Sequence, residues 1–166
     1  MPRVTFNHEP ITLVGQELTV GEQAPDFQVV SNELKGVSLN DYKGKIKLIA
    51  TVPSVDTGVC AEETKRFNEE ASKLDNVEVL TISMDLPFAQ ARWKASNDIK
   101  HLDLLSDHKS GDFGEKYGVL IKDLRLLARA VFVVGSDDKI SYVEYVDEVT
   151  NHPDYEAALQ AAKTSQ

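Results

Sequence analysis

Residues 47–52, Lys-Leu-Ile-Ala-Thr-Val, form a short run that is apolar almost throughout. A strand with one face in water alternates polar and apolar residues. A continuous apolar run is expected where both faces are covered. Such a strand belongs inside a sheet with layers on either side, and the order of the flanking elements decides which layers they are. Pro53 follows directly; it has no N–H to give to a sheet ladder and marks the end of the strand.

The flanking sequence supplies the remaining layers. After Pro53 comes a helix of about four turns, because Cys60, Phe67, Ala71 and Leu74 recur on one face of a 3.6-residue repeat. Glu62 precedes Lys65 and Arg66 at the spacings that support a solvated opposite face. Upstream, Val4 to Phe6 and Ile11 to Val14 flank Asn7-His8-Glu9-Pro10 as an N-terminal hairpin, and residues 26–30 read as a short strand. Downstream, Val77 to Met84 is a strand, Pro87 to Asn97 a helix with proline in its first turn, and Leu104-Leu105 a short apolar segment. Ser110 to Tyr117 reads as a short helix. Ala130 to Val134 and Ile140 to Val146 form a hairpin across residues 135–139, in which Asp137-Asp138 reads as a solvated turn. An amphipathic helix from about Pro153 to Lys163 closes the chain. This order resembles a thioredoxin-like α/β layout: a mixed central sheet flanked by helices, with an N-terminal β-hairpin, in one domain over residues 1–166.

Composition narrows the function classes. The net charge of −9 opposes binding to nucleic acid or an anionic membrane surface, both of which call for basic patches. No apolar run approaches the ~20 residues needed to span a bilayer. The N-terminal residues lack a signal-peptide core and the one cysteine excludes an intrachain disulfide, so a cytoplasmic location is expected.

That cysteine, Cys60, has two readings. As a small hydrophobe sharing a face with Phe67 it is core packing. As a residue in the first turn of a helix capped by Asp56 or Thr57, it lies where unpaired N–H groups and the helix dipole favour a thiolate. A thiol of pKa ~8.5 is about 3% ionised at pH 7, and one of pKa ~6 about 90%, a difference of roughly 3 kcal/mol. A dipole supplies at most about 2 kcal/mol, so a nearby cation is needed as well.

The segment Pro53-Ser54-Val55-Asp56-Thr57-Gly58-Val59-Cys60 resembles the P-x-x-x-T-x-x-C signature of the peroxiredoxin family. VPSVDTGVC, TLVGQELTVGEQAPDF, MDLPFAQARW and LLARAVFVV are together similar to its thiol peroxidase subfamily, in order across nearly the whole chain. The resemblance implies a peroxidatic role for Cys60, with Thr57 hydrogen-bonding the thiolate and the peroxide, and Pro53 shielding the sulfur. Arg129 is implied as the cation. Each also has a structural reading: Thr57 as a helix cap, Pro53 as a strand end, Arg129 as the partner of a structural carboxylate. The implied activity is reduction of hydrogen peroxide and organic hydroperoxides through a sulfenic acid, without metal, haem or flavin. A homodimer is implied as well.

The resemblance breaks at Lys94, which stands where many thiol peroxidases carry a resolving cysteine, and no other cysteine replaces it. Recycling is then expected from an external thiol, thioredoxin or a small molecule. The alternative is a thioredoxin-like redox-sensing or binding protein without sustained turnover. Lys94 is expected to face solvent. His8, His101, His108 and His152 lack metal-ligand spacing, and a cysteine-hydrolase reading would need one of them beside Cys60. Trp93, Phe88 and Phe113 read as core or interface residues.

Overall fold

The computed structural model describes residues 4–165; of the domain expected over 1–166, the first three residues and the last lie outside the described residues. Val4–Phe6 (β1) and Glu9–Ile11 (β2) pair antiparallel. Asn7 and His8 join them with φ of 52° and 68°, the left-handed pair that matches the twist of a two-residue hairpin. The expected four-residue connection is therefore too long. Leu13–Val14 (β3) leaves the hairpin altogether and pairs with Leu120–Ile121 far along the chain.

Next come Gln28–Val30 (β4), Gly36–Ser38 (β5), a short 3-10 helix at Leu39–Tyr42, and Ile46–Thr51 (β6). Gly58–Ala71 (α1) leads to Val77–Ser83 (β7), Pro87–Ser96 (α2) and Asp103–Ser106 (β8). Asp112–Lys116 (α3), Leu120–Ile121 (β9), Ala130–Val134 (β10), Ile140–Tyr145 (β11) and Tyr155–Thr164 (α4) complete the order. Seven strands form one mixed sheet in the order β11-β10-β6-β7-β8-β4-β5. β6, β7 and β8 run parallel, and the remaining neighbours are antiparallel.

The apolar run at residues 47–52 belongs almost entirely to β6, every residue of which is buried. Ile49 joins Leu80, Ile82, Phe132 and the stacked rings of Phe113 and Tyr117 on one face. Leu48 and Ala50 join Phe67, Val131, Val133 and Tyr155 on the other. A small third cluster of Val4, Leu13, Ile121, Ala128 and Val149 packs under the hairpin. Phe113 is thus a core residue, whereas Phe88 is exposed and Trp93 is half-buried against the second face.

One expectation about charge is corrected. Asp138 is not merely solvated: it sits at φ 63° in the β10–β11 turn and accepts from Lys47 Nζ at 2.6 Å. Lys47 is fully buried, and its ammonium also donates to Gly135 O (3.2 Å). On α1, Glu62 Oε2 lies 3.3 Å from His152 Nε2, and the Arg66 guanidinium lies 4.3 Å over the Tyr155 ring. The segment entering α4 thus engages side chains on the face of α1 where Glu62, Lys65 and Arg66 remain exposed.

Breaking a buried ion pair from one side leaves an unpaired charge, which is worse than removing the charge itself. Asp138→Asn, which keeps a residue tolerant of positive φ, is expected to cost about 3 kcal/mol in urea unfolding. Lys47→Met is expected to cost much less, since Gly135 O keeps its bond from Asp138 N and the Asp138 carboxylate is partly solvated.

Candidate active site

The sheet register brings the chemistry-bearing residues together. β10 runs antiparallel to β6 with Ala130 opposite Thr51, so Arg129, one residue before β10, lies beside the carboxyl end of β6. Thr51 Oγ1 donates to Ala128 O at 2.7 Å and pins that approach. The loop leaving β6 enters α1 at the same end, the side of an open α/β sheet where crevices form.

Between the two candidate caps, Thr57 is the N-cap of α1, with extended backbone (φ −90°, ψ 154°), and Cys60 is the third residue of the helix. Cys60 N donates to Thr57 Oγ1 at 3.3 Å, and the Thr57 hydroxyl donates to Ser54 O at 3.3 Å. The threonine thus ties loop to helix, and the bond made to the sulfur comes from elsewhere. No acidic side chain occupies the first turn of α1, so the positive end of the helix dipole is not offset there.

Arg129 makes that bond. Its Nη2 donates to Cys60 Sγ at 3.1 Å, its Nη1 to Glu63 Oε1 at 2.8 Å, and its Nε to Val149 O at 2.7 Å. This arginine pairs a carboxylate, as its structural reading expects, and it also reaches the sulfur. Burial works against its charge, but Glu63 and Cys60 outweigh burial and hold the guanidinium pKa above its usual value. Glu63, one turn along from Cys60, was not anticipated from sequence. Its Oε1 is paired, but its buried Oε2 has no hydrogen-bond partner. Burial pushes this carboxyl up to about 7, against the pull of Arg129.

A second unanticipated residue supports the loop. Asp85 Oδ1 accepts from Ser54 Oγ (2.7 Å), and its Oδ2 accepts from Val55 N (2.9 Å) and Ser83 Oγ (2.7 Å). Gln90 Nε2 donates to Ser83 Oγ and to Leu105 O. The available signal was an aspartate between a strand and a proline-initiated helix, inside the MDLPFAQARW segment.

Above the sulfur lies a cleft of about 380 Å³ lined by Phe6, Asn7, Pro53, Thr57, Gly58, Val59, Arg129, Val149 and Thr150. Pro53 is buried in its wall and Cys60 is fully buried behind it. The structure therefore brings Pro53, Thr57, Cys60 and Arg129 together. Lys94 stands apart, and it does not simply face solvent: half-buried, it lines a different cleft of about 430 Å³ with Asn32, Tyr42 and Asp103. His152, on which a hydrolase reading would draw, is engaged by Tyr155 Oη at 2.8 Å and by Glu62.

The redoxin family model matches residues 19–159. This chain belongs to the redoxin family. Among curated relatives of this redoxin, the thiol peroxidase of Oceanobacillus iheyensis is 63% identical over 159 residues, 96% of this chain and 97% of the relative. That of Bacillus subtilis is 58% identical over 163 residues, 98% of each. Among solved structures, a peroxiredoxin-like protein from Aquifex aeolicus superposes with a TM-score of 0.94 at 41% identity, over 100% of this redoxin and 98% of that chain. The peroxiredoxin and thiol peroxidase resemblance and the thioredoxin-like fold are both borne out.

Two measurements check this site. Asp85→Ala orphans a backbone N–H and two hydroxyls and is expected to lower stability by about 2 kcal/mol in chemical denaturation. Glu63 has a folded-state pKa above its unfolded one, so folding holds a proton more tightly and stability falls as pH rises between them. Relative to Glu63→Gln, wild-type stability is expected to decline from about pH 4.5 to about pH 7. A flat difference across that window would contradict the burial argument.

Proposed function

We propose that this redoxin is a thiol-dependent peroxidase in which Cys60 is the attacking sulfur. The observation that carries the assignment is the 3.1 Å contact from Arg129 Nη2 to Cys60 Sγ at the start of a Thr57-capped helix. The thiolate attacks one peroxide oxygen and the O–O bond breaks. The attacked oxygen stays on sulfur as sulfenic acid, and the leaving oxygen departs as water or an alcohol once it gains a proton. Negative charge builds on that leaving oxygen, and donors fixed in advance around it lower the barrier. Arg129 supplies such donors without losing its charge, since a guanidinium stays protonated. Thr57 presents an exposed hydroxyl at the cleft mouth, and Pro53 keeps water from the sulfur.

Recycling follows from the single thiol. The sulfenic acid is reduced by two equivalents of external thiol, releasing water and a disulfide formed outside this chain. Thioredoxin or a small thiol fills that role. Cross-linking of two Cys60 residues between subunits is disfavoured because the sulfur is fully buried. No helix among the described residues is long and apolar enough to cross a membrane. A cytoplasmic location and a homodimer complete the proposal. Leu86 and Phe88, both more than half exposed at the start of α2, offer an apolar surface for pairing.

Cys60→Ser is expected to abolish peroxide consumption while leaving the fold intact by circular dichroism. Arg129→Gln is expected to reduce kcat/KM by about 10²–10³-fold, the usual cost of losing a preorganised donor. The alternative, a redox sensor without turnover, predicts one stoichiometric oxidation of Cys60. Sustained consumption with thioredoxin or a small thiol would eliminate it.

A further inference from the structure

Glu148 lies outside every motif read from the sequence, yet it gathers more hydrogen bonds than any side chain in the cleft. It is buried just ahead of Val149 and Thr150, two of the cleft's lining residues. Oε1 accepts from Thr5 Oγ1 and from His8 N, both at 2.7 Å. Oε2 accepts from Thr150 N at 2.8 Å, from the Thr150 hydroxyl and, more weakly, from Asn7 N at 3.3 Å. One carboxylate therefore joins the β1–β2 turn to a segment some 140 residues away. Both of its neighbours at this seam belong to the cleft. Phe6 ends β1 and Asn7 opens the turn, both lining the cleft, and Val149 offers the carbonyl that receives Arg129 Nε.

We propose that Glu148 is a positioning residue that sets the peroxide selectivity of the cleft by holding the Phe6–Asn7 wall against the Val149–Thr150 floor. The inference rests on the peroxidase reading. Hydrogen peroxide is small and meets only the sulfur and the polar groups beside it. A bulky apolar hydroperoxide must also lie against the walls, where its binding is lost if Phe6 is free to swing away. Backbone bonds from Thr5 N to Asp147 O and from Val149 N to Thr5 O hold the root of the hairpin without Glu148. Its turn has no comparable backbone tether to the floor among these bonds. The carboxylate is suited to this duty: burial alone would raise its pKa, but the donors of Thr150, Thr5 and His8 hold it down at about 2. The clamp stays charged across the working pH range.

The test compares kcat/KM for cumene hydroperoxide and hydrogen peroxide in the full chain, in Glu148→Ala and in Thr5→Val, together with amide exchange at Asn7, His8 and Thr150. Thr5→Val removes one donor to the carboxylate without touching a cleft-lining residue, so it serves if Glu148→Ala does not fold. In Glu148→Ala the ratio of cumene hydroperoxide to hydrogen peroxide efficiency is expected to fall roughly tenfold, the scale of losing one apolar contact surface. The loss should appear in KM for the bulky substrate, with faster exchange at the three amides. Thr5→Val should move the ratio the same way by a smaller factor. An unchanged ratio, or an equal fall for both peroxides, in whichever variant folds would overturn the proposal and leave Glu148 a purely structural tie. If the wild-type chain consumed neither peroxide, the proposed function would fall and this inference with it. Wild-type turnover with an unchanged ratio would remove this inference alone.

Discussion

The buried guanidinium of Arg129 is the constraint around which this end of the molecule is arranged. The residue is 2% exposed, and a charge taken that far from water is tolerated only when its donors are met. Three groups from two chain segments meet them. Glu63 comes from the second turn of α1, Cys60 from the first, and the Val149 carbonyl from the stretch after β11. The β11 segment must therefore return over the end of the sheet, and the hairpin must cover it in turn. Carboxylate and sulfur compete for one cation, while Val149 fixes the plane in which the fork lies. The arginine proposed to serve the chemistry is also the one that ties α1 to the segment after β11.

Most of the architecture was legible because it follows from local pattern. Residues 47–52 read as a doubly covered strand because every residue of β6 is buried, and the one charged side chain in it, Lys47, is masked by the apolar residues around it. The β10–β11 hairpin, Pro87 at the start of α2 and the terminal helix carried equally local signals. What escaped depends on distant partners. β3 and β9 are two residues each and exist only because they pair with one another across some hundred residues, and so short a segment has no period to detect. The Lys47–Asp138 pair likewise joins a central strand to a turn that, seen alone, looks solvated.

The site divides along the same line. Cys60, Thr57 and Pro53 lie within eight residues, so spacing and the family resemblance reach them together. Arg129 was reached through the resemblance and the need for a cation near a helix start. Glu63, Asp85 and Glu148 were not reached, because an acidic residue gives no hint in sequence of whether it will be buried. Glu63 sits among charged residues of α1 that face water, and one position along the helix separates it from the exposed Glu62. Thr57 shows the opposite case: a role suggested by resemblance and a role suggested by helix capping fall on one hydroxyl, and the capping role is the one its bonds display.

The proposed chemistry places two demands on the sulfur, and the helix start answers both by being uneven. Excluding water favours the contact between the sulfur and Arg129, since charge interactions strengthen as the local dielectric falls. Recycling, in the proposed cycle, requires an outside thiol to reach the same atom. The second turn of α1 is anchored firmly: Glu63 bonds Arg129, and Thr64 Oγ1 donates to Cys60 O at 2.7 Å. On the other side of Cys60, Asp56, Thr57 and Gly58 are exposed, the Thr57 bonds are both 3.3 Å long, and the space where a Gly58 side chain would point is empty. Segments with few buried contacts open at the least cost in free energy. Access to the sulfur is therefore cheapest through the first turn of its own helix, where opening leaves the guanidinium, the carboxylate and the sheet behind them in place.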